Sequence, residues 1–153
     1  MPYLILRKIK TTDKKDIFVW RNDEVTKKMS FNTSPVGIKE HEIWFNKAIN
    51  DKERVFYIAE FDNGQKIGIV SFDRIDSNDY KVNVNLNSAF RGRGLGSMVI
   101  KEGCLRLIAE KNTAYIIAKV KADNTASIKA FTKAGFVKLS EEGNVINMCF
   151  RTG

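Results

Sequence analysis

Seven stretches of the chain carry apolar residues in alternation with polar ones, or in short β-branched runs. They are "YLILRKI" (3–9), "RVFYIAEF" (54–61), "QKIGIVSFD" (65–73), "YKVNVNLN" (80–87), "AYIIAKV" (114–120), "FVKLS" (136–140) and "VINMCFR" (145–151). Period-two alternation over so few residues predicts strands. The "DNG" between the second and third is a hairpin signal, because Asn and Gly tolerate positive φ. Four other stretches follow a helical period. In "TTDKKDIFVWRND", Asp13 is placed to cap with Asp16 three residues on, and Ile17, Trp20 and Glu24 recur at helical spacing. "IKEHEIWFNKAIN" puts Ile38, His41, Phe45 and Ala48 on one face, and "LGSMVIKEGCLRLIAEK" makes a stripe of Leu95, Met98, Leu105 and Ile108. "NTASIKAFTKAG" is stopped by Gly135. The order is strand, two helices, three strands, helix, strand, helix, two strands. It predicts an α/β fold: one mixed seven-stranded sheet flanked by four helices.

Composition narrows the class without naming a function. A length of 153 residues fits one core, so residues 1–153 are expected to form a single domain. Lys and Arg number 26 against 18 Asp and Glu, a net charge of +8, so an anionic partner is favoured by long-range attraction. Cys104 and Cys149 form no CxxC pair and sit in apolar surroundings, which predicts free thiols and no metal site. "MPYLILRKIK" is too short an apolar run for a signal peptide, and no stretch approaches the roughly 18 apolar residues of a membrane span, so a cytoplasmic location is expected.

Between the fourth strand and the third helix lies "RGRGLG", residues 91–96. A glycine-rich loop running from a strand into a helix presents backbone N–H groups where the helix dipole adds positive potential, an arrangement suited to phosphate. Gly92, Gly94 and Gly96 remove obstructing Cβ atoms, Arg91 and Arg93 add charge, and Ser97 adds a hydroxyl. The dinucleotide fingerprint and the mononucleotide loop both fail on spacing. A plain turn and a nucleic-acid contact are the other readings of the loop alone. The second is opposed by the lack of interleaved aromatics and by basic residues spread along the whole chain.

Taken with "NTASIKAFTKAGF" downstream, "LNSAFRGRGLGSMVI" resembles the two central motifs of the GNAT superfamily of acetyl-CoA-dependent N-acetyltransferases. Arg91, Gly94 and Gly96 match its R/Q-x-x-G-x-G/A loop, and Asn124 through Gly135-Phe136 match its second motif. The resemblance implies a GNAT fold whose fourth and fifth strands splay apart, opened by a β-bulge near Asn85 to Asn87. It also implies acetyl-CoA as cofactor, held along Leu86, Asn87, Arg91, Gly92, Arg93, Gly94, Leu95, Gly96 and Ser97 on one side and Asn124, Ser127 and Phe131 on the other. Asn124 is expected to cap its helix as well.

Acetyl transfer needs a neutral amine, donors for the developing oxyanion and a proton for the thiolate. The resemblance implies a backbone N–H near Leu86 as the oxyanion donor. At the position of the family's frequent general-acid tyrosine stands Phe131, which has no proton to give, and Ser127 is the alternative donor, beside water or its reading as an ordinary helix hydroxyl. His41, the only histidine, is the candidate base; Asp73, Asp76 and Glu60 are not singled out. Upstream, Trp20-Arg21-Asn22, Glu40-His41, Phe45, Gly68 and Phe72 resemble the branch that acetylates UDP-4-amino-sugars of the pseudaminic acid type. That implies a substrate site of Trp20, Arg21, Asn22, His41, Trp44, Phe45 and Phe72, with Arg21 on a diphosphate and a tryptophan stacked on uracil or sugar. Against this stands the ordinary fate of such tryptophans, the core of an amphipathic helix. The expected partner is thus a small-molecule amine, a UDP-amino-sugar, without nucleic acid; a homodimer is compatible with the chain. A ribosomal-protein or peptide N-terminal acetyltransferase is the second function, and a non-catalytic acetyl-CoA or nucleic-acid binding module the third.

Overall fold

The computed structural model describes residues 3–113 and 115–150. Its strands are β1 (Leu4–Lys8), β2 (Arg54–Phe61), β3 (Lys66–Asp76), β4 (Asp79–Leu86), β5 (Tyr115–Lys121), β6 (Phe136–Glu142) and β7 (Val145–Phe150). They form one seven-stranded sheet in the order β1-β2-β3-β4-β5-β7-β6. Every neighbouring pair is antiparallel except β4 and β5. The β2–β3 turn is the expected hairpin: Gly64 takes φ of +91° and the Asn63 side chain accepts from the Gln65 amide at 3.0 Å.

Alternation along the strands sends successive side chains to opposite sheet faces, so the register identifies each face. Val70, Phe72, Val82 and Ile116 look toward α4 (Leu95–Lys111) and α5 (Thr125–Ala134), and with Tyr57, Val99, Leu107 and Phe136 they build the main core. Phe56, Ile58 and Ile69 look the other way and meet Ile17 and Trp20 of α1 (Lys14–Arg21) and Phe45 and Ala48 of α3 (Ile38–Asn50). Each large side chain buried this way stabilises the fold by about 1.5–3 kcal/mol before entropy is counted.

Four local expectations are corrected. The first helical stretch is two helices, so there are five α-helices among the described residues: Asp23 accepts from the amides of Val25 and Thr26 at 3.1 Å each, and this cap starts a separate α2 (Glu24–Met29). Glu24 therefore opens α2 instead of continuing α1. Asp13 stands at the N-cap of α1 but its side chain makes no capping bond there; the fully buried carboxylate takes two bonds from Arg7 (2.8 and 2.9 Å), one from Lys66 (2.9 Å) and one from the Lys10 amide (2.8 Å). In α4 the buried residues are Leu95, Ser97, Val99, Ile100, Gly103, Cys104 and Leu107, while Met98 and Leu105 are exposed. A glycine, a serine and a cysteine on the buried side hid that face from a search for large apolar residues. Likewise Ile38 is exposed, and α3 buries only His41, Phe45 and Ala48.

Among the described residues β4 and β5 pair only at Asp79–Tyr115, Tyr80–Ile116 and Lys81–Ile117, although β4 runs on to Leu86 and β5 to Lys121. The strands therefore part, as expected of a splayed pair. The expected bulge near Asn85 to Asn87 is absent: β3 and β4 keep regular register from Arg74–Tyr80 through Gly68–Leu86, and their one irregularity lies between Arg74 and Asp76. The gap comes from β5 leaving β4, not from β4 bending.

Candidate active site

At the end of β4 the chain makes a short turn capped by Asn87 and enters the glycine loop. Gly92 and Gly94 take φ of +76° and +74°, a region L side chains seldom occupy, and Gly94 is the N-cap of α4. No acidic residue lies in the first turn of α4. Its free amides therefore keep their positive potential. The Ser97 hydroxyl donates to the Gly94 carbonyl at 3.1 Å, which fixes the turn. Across from it, Asn124 accepts from the Ser127 amide at 3.2 Å and caps α5, and the Lys133 ammonium lies 3.8 Å from where a Cβ of Gly94 would stand.

These elements enclose a cleft of about 540 Å³. Its walls are the loop, the N-terminal half of α5, the ends of β4 (Val84, Asn85, Leu86), and Val25, Thr26, Met29 and Ser30 on and just after α2. Because α4 and α5 cover one sheet face and α2 overhangs the other at Asn85, the cleft passes through the β4–β5 gap. The backbone at that gap is not fully laddered. Asn87 donates to the Ile67 carbonyl at 2.7 Å, and hydrogen-bonded pairs alternate with non-bonded ones along an antiparallel ladder. Leu86, opposite Gly68, is thus in a non-bonded pair, and its N–H points away from β3 into the gap.

Arg91 leaves the loop and reaches α2. Its Nη2 lies 2.6 Å from Asp23 Oδ2 and donates to Thr26 Oγ1 at 2.7 Å; the Thr26 hydroxyl lies 3.2 Å from Asn85 Oδ1. Burial alone would raise the Asp23 pKa, but the bonds from Arg91 and the capping amides hold it below the usual carboxylate value.

A second cluster lies away from the cleft. His41 is buried between α1 and α3, with Nε2 2.8 Å from the Lys14 carbonyl and Nδ1 3.0 Å from Arg21 Nη1. A carbonyl only accepts and a guanidinium only donates, so Nε2 carries the proton, Nδ1 is bare and the ring is neutral. Burial, with the neighbouring Arg21 and Lys14 charges, lowers its pKa below 6.5 although the bond to Lys14 opposes the shift. Arg21 in turn stacks 4.4 Å above the Trp44 ring.

A model of the acetyltransferase (GNAT) domain family matches residues 3–137. The chain belongs to that family. Among solved structures, it overlays the spermidine N-acetyltransferase from Vibrio cholerae, in complex with CoA and spermine, with TM-score 0.86 and 20% identity, covering 96% of this chain and 94% of that one. AAC(6')-Ib in complex with paromomycin and acetyl-CoA gives TM-score 0.83 and 18% identity over 96% and 92%. At such identities the likeness concerns the fold. A mycothiol acetyltransferase of Corynebacterium glutamicum is 42% identical over 53 residues, 35% of this chain, and that match spans only 18% of the relative's length.

Within this GNAT domain the residues named from sequence divide sharply. Leu86, Arg91, Gly92, Gly94, Gly96, Ser97, Asn124 and Ser127 line the cleft. Asn87 instead spends its side chain on the Ala89 amide and the Lys66 carbonyl, Arg93 lies 5.4 Å over the Phe90 ring, and Leu95 points into the core. Phe131 packs on Phe136 at 5.0 Å between ring centroids. None of the seven residues expected at the substrate lines the cleft. Trp20, Phe45 and Phe72 are core residues, His41 is buried with both ring nitrogens bonded to α1, and Trp44 carries Arg21 on its face. Asn22 staples the loop before α3, donating to the Val36 carbonyl at 3.0 Å and accepting from its amide at 2.7 Å. What sequence reasoning missed is α2, together with Lys129 and Lys133. The Asp23 cap signal in "RNDEVT" was the available clue to α2, and the i, i+4 spacing of the two lysines after Asn124 was the clue to theirs.

Proposed function

We propose that this protein moves the acetyl group of acetyl-CoA to a primary amine, and that the acceptor is the 4-amino group of a UDP-linked amino-deoxy sugar. The observation that carries the transfer is one continuous cleft joining a glycine cradle at a helix N-terminus to an unladdered backbone N–H at a strand gap. The residues present fit the coenzyme. The positive-φ backbone of Gly92 and Gly94, the free amides of α4 and the Lys129 and Lys133 ammoniums suit a pyrophosphate, and the gap suits a slender neutral arm. Bound acetyl-CoA supplies an activated thioester carbonyl.

The Leu86 N–H is a donor for negative charge developing on a carbonyl oxygen at the gap. Ser127 lines the same cleft, and its hydroxyl has no hydrogen-bond partner among the described residues, so it can give a proton to a leaving thiolate. No carboxylate or imidazole is among the described residues lining the cleft. The amine therefore enters neutral or loses its proton to water, and holding it beside the carbonyl does most of the work. Support for the sugar nucleotide is the net charge of +8 and a cleft free of carboxylates, which suits an anionic acceptor better than a polyamine.

The test is a panel measuring release of free CoA with a UDP-4-amino-sugar, N-terminal peptides and spermidine. Turnover of the sugar nucleotide is expected. Turnover of peptides or spermidine alone rejects the acceptor, and failure of acetyl-CoA to raise the melting temperature rejects the transfer. Ser127→Ala is expected to lower kcat by about tenfold to a hundredfold with KM for acetyl-CoA little changed, as loss of a positioned proton donor should.

A further inference from the structure

On their sheet face α1 and α3 bury their side chains against β2 and β3, while Asn83 of β4 and Lys119 of β5 stay exposed, so that part of the face is open. Register places Lys81, Asn83 and Asn85 of β4 on that open face, opposite Asp73, Ser71 and Ile69 of β3. The Lys81–Ile117 pair then places Lys119 and Lys121 of β5 there too, with Asn147 of β7 opposite Lys119. Lys119 and Asn83 are exposed, and Lys81, Lys121 and Asn147 half-exposed. None of the three lysines is within ion-pair distance of a carboxylate among the described residues. Asp73, across from Lys81, is already held by Arg54 at 2.7 Å and by Asn83 at 3.1 Å. Glu142 lies two strands from Lys121, about 10 Å away.

This basic strip adjoins the cleft. Asn85 belongs to both, and Lys121 Nζ donates to the Lys28 carbonyl at 3.4 Å, at the α2 end that walls the cleft with Met29 and Ser30. Lys119 and Lys121, two residues apart on one strand, stand about 7 Å from each other, a spacing that straddles a diphosphate. Flexible ammonium stems and neighbouring amides suit such a group.

We propose that the strip binds the acceptor by its anionic part, a phosphate or diphosphate on the amine-bearing molecule, with Lys119 and Lys121 as the main contacts. This rests on the acetyl-transfer reading and adds to it where the acceptor's charge is held. The coenzyme's phosphates meet the loop through one mouth of the cleft, and the acceptor's phosphates meet the strip beyond the other. The thioester and the amine then converge at the gap beside Leu86.

The test uses Lys119→Ala/Lys121→Ala, whose side chains are outside the core, so folding is checked simply by melting temperature. With a UDP-4-amino-sugar, the double variant is expected to raise KM by about tenfold or more with kcat nearly unchanged, and the parent's KM to rise with salt more steeply than the variant's. An amino sugar without phosphate should be handled alike by both proteins, and the Kd for acetyl-CoA should not move. A double variant within twofold of the parent on the phosphorylated acceptor overturns the proposal, as does a parent that prefers spermidine. Calorimetric binding of UDP with no coenzyme present separates this inference from the transfer reading. The parent is expected to bind UDP at least about tenfold more tightly than the variant, and equal binding overturns the strip whether or not acetyl transfer is found.

Discussion

Replacing Gly68 by alanine tests the proposed oxyanion donor, the Leu86 N–H. An ideal Cβ at residue 68 falls 2.5 Å from the Asn85 carbonyl oxygen and 2.9 Å from the Leu86 Cα. Both are backbone atoms and cannot swing aside. Relative to an ordinary contact of 3.4 Å, the strands must separate by about 0.9 Å at the residue whose N–H faces the gap. Overpacking of this kind costs about 1–3 kcal/mol of stability, which a domain of this size tolerates. Catalysis should suffer more, because a donor moved by about 1 Å loses most of its value, and one oxyanion donor is worth roughly a hundredfold to a thousandfold. The expected result for Gly68→Ala is a kcat lower by about a hundredfold, or ~2.7 kcal/mol of barrier. The glycine loop does not touch Gly68, so the Kd for acetyl-CoA should stay within about threefold. Initial rates of CoA release at saturating substrates, with acetyl-CoA titration calorimetry and a melting curve, measure all three quantities. A folded variant with kcat within twofold of the parent would show that the Leu86 amide is not the donor.

Gly94→Ala forces a side chain into φ of +74° at the α4 N-cap, and the coenzyme Kd should weaken by about tenfold or more while the fold survives, read by calorimetry. His41 does not reach the cleft, so the rate should climb with pH toward the acceptor amine's own pKa, with no inflection near 6.5; His41→Gln should preserve that profile and lower only stability. Asp13 makes stability depend on acid. Burial would raise its pKa, but the bonds from Arg7 and Lys66 outweigh this and hold it at about 2, against 3.8 when unpaired. A depressed carboxylate contributes stability that is present above 3.8 and lost as pH falls toward 2, about 2 kcal/mol in all, so chemical denaturation from pH 5 to pH 2 should show that loss and Asp13→Asn should abolish it.

Element boundaries were legible where the local code is strong. The spans of α3 and α4 read from periodicity coincide with the observed ones, and the β2–β3 hairpin follows from its Asn-Gly pair. The glycine loop and the Asn124 cap were equally plain, because positive φ and helix capping leave their mark on residue type. Residue roles were legible only in part. Trp20, His41, Phe45 and Phe72 fit a substrate site and a core equally well in sequence, and only burial tells them apart. The real face of α4 was missed for a related reason: Gly103 lets the helix sit against Val70, so its closest contact has no side chain to notice. The strip on β4 and β5 could not be read at all, since it needs the parallel register of two strands separated by a helix.

The two mouths of the cleft are mechanically joined through Arg91. Its guanidinium belongs by sequence to the phosphate loop, yet it is bonded to the residue that caps α2 and to the first-turn threonine that meets Asn85. Part of the loop's formal charge is therefore neutralised within the protein, and its attraction for phosphate rests on the α4 amides and on Lys129 and Lys133. In exchange, a helix of only six residues, with no buried side chain of its own, is fixed over the sheet. Such a helix would be marginal alone. The same arginine that makes the loop resemble a phosphate site thus holds one wall of the cleft, and under the proposed reading the charge of an anionic acceptor is met elsewhere, on the lysines of β4 and β5.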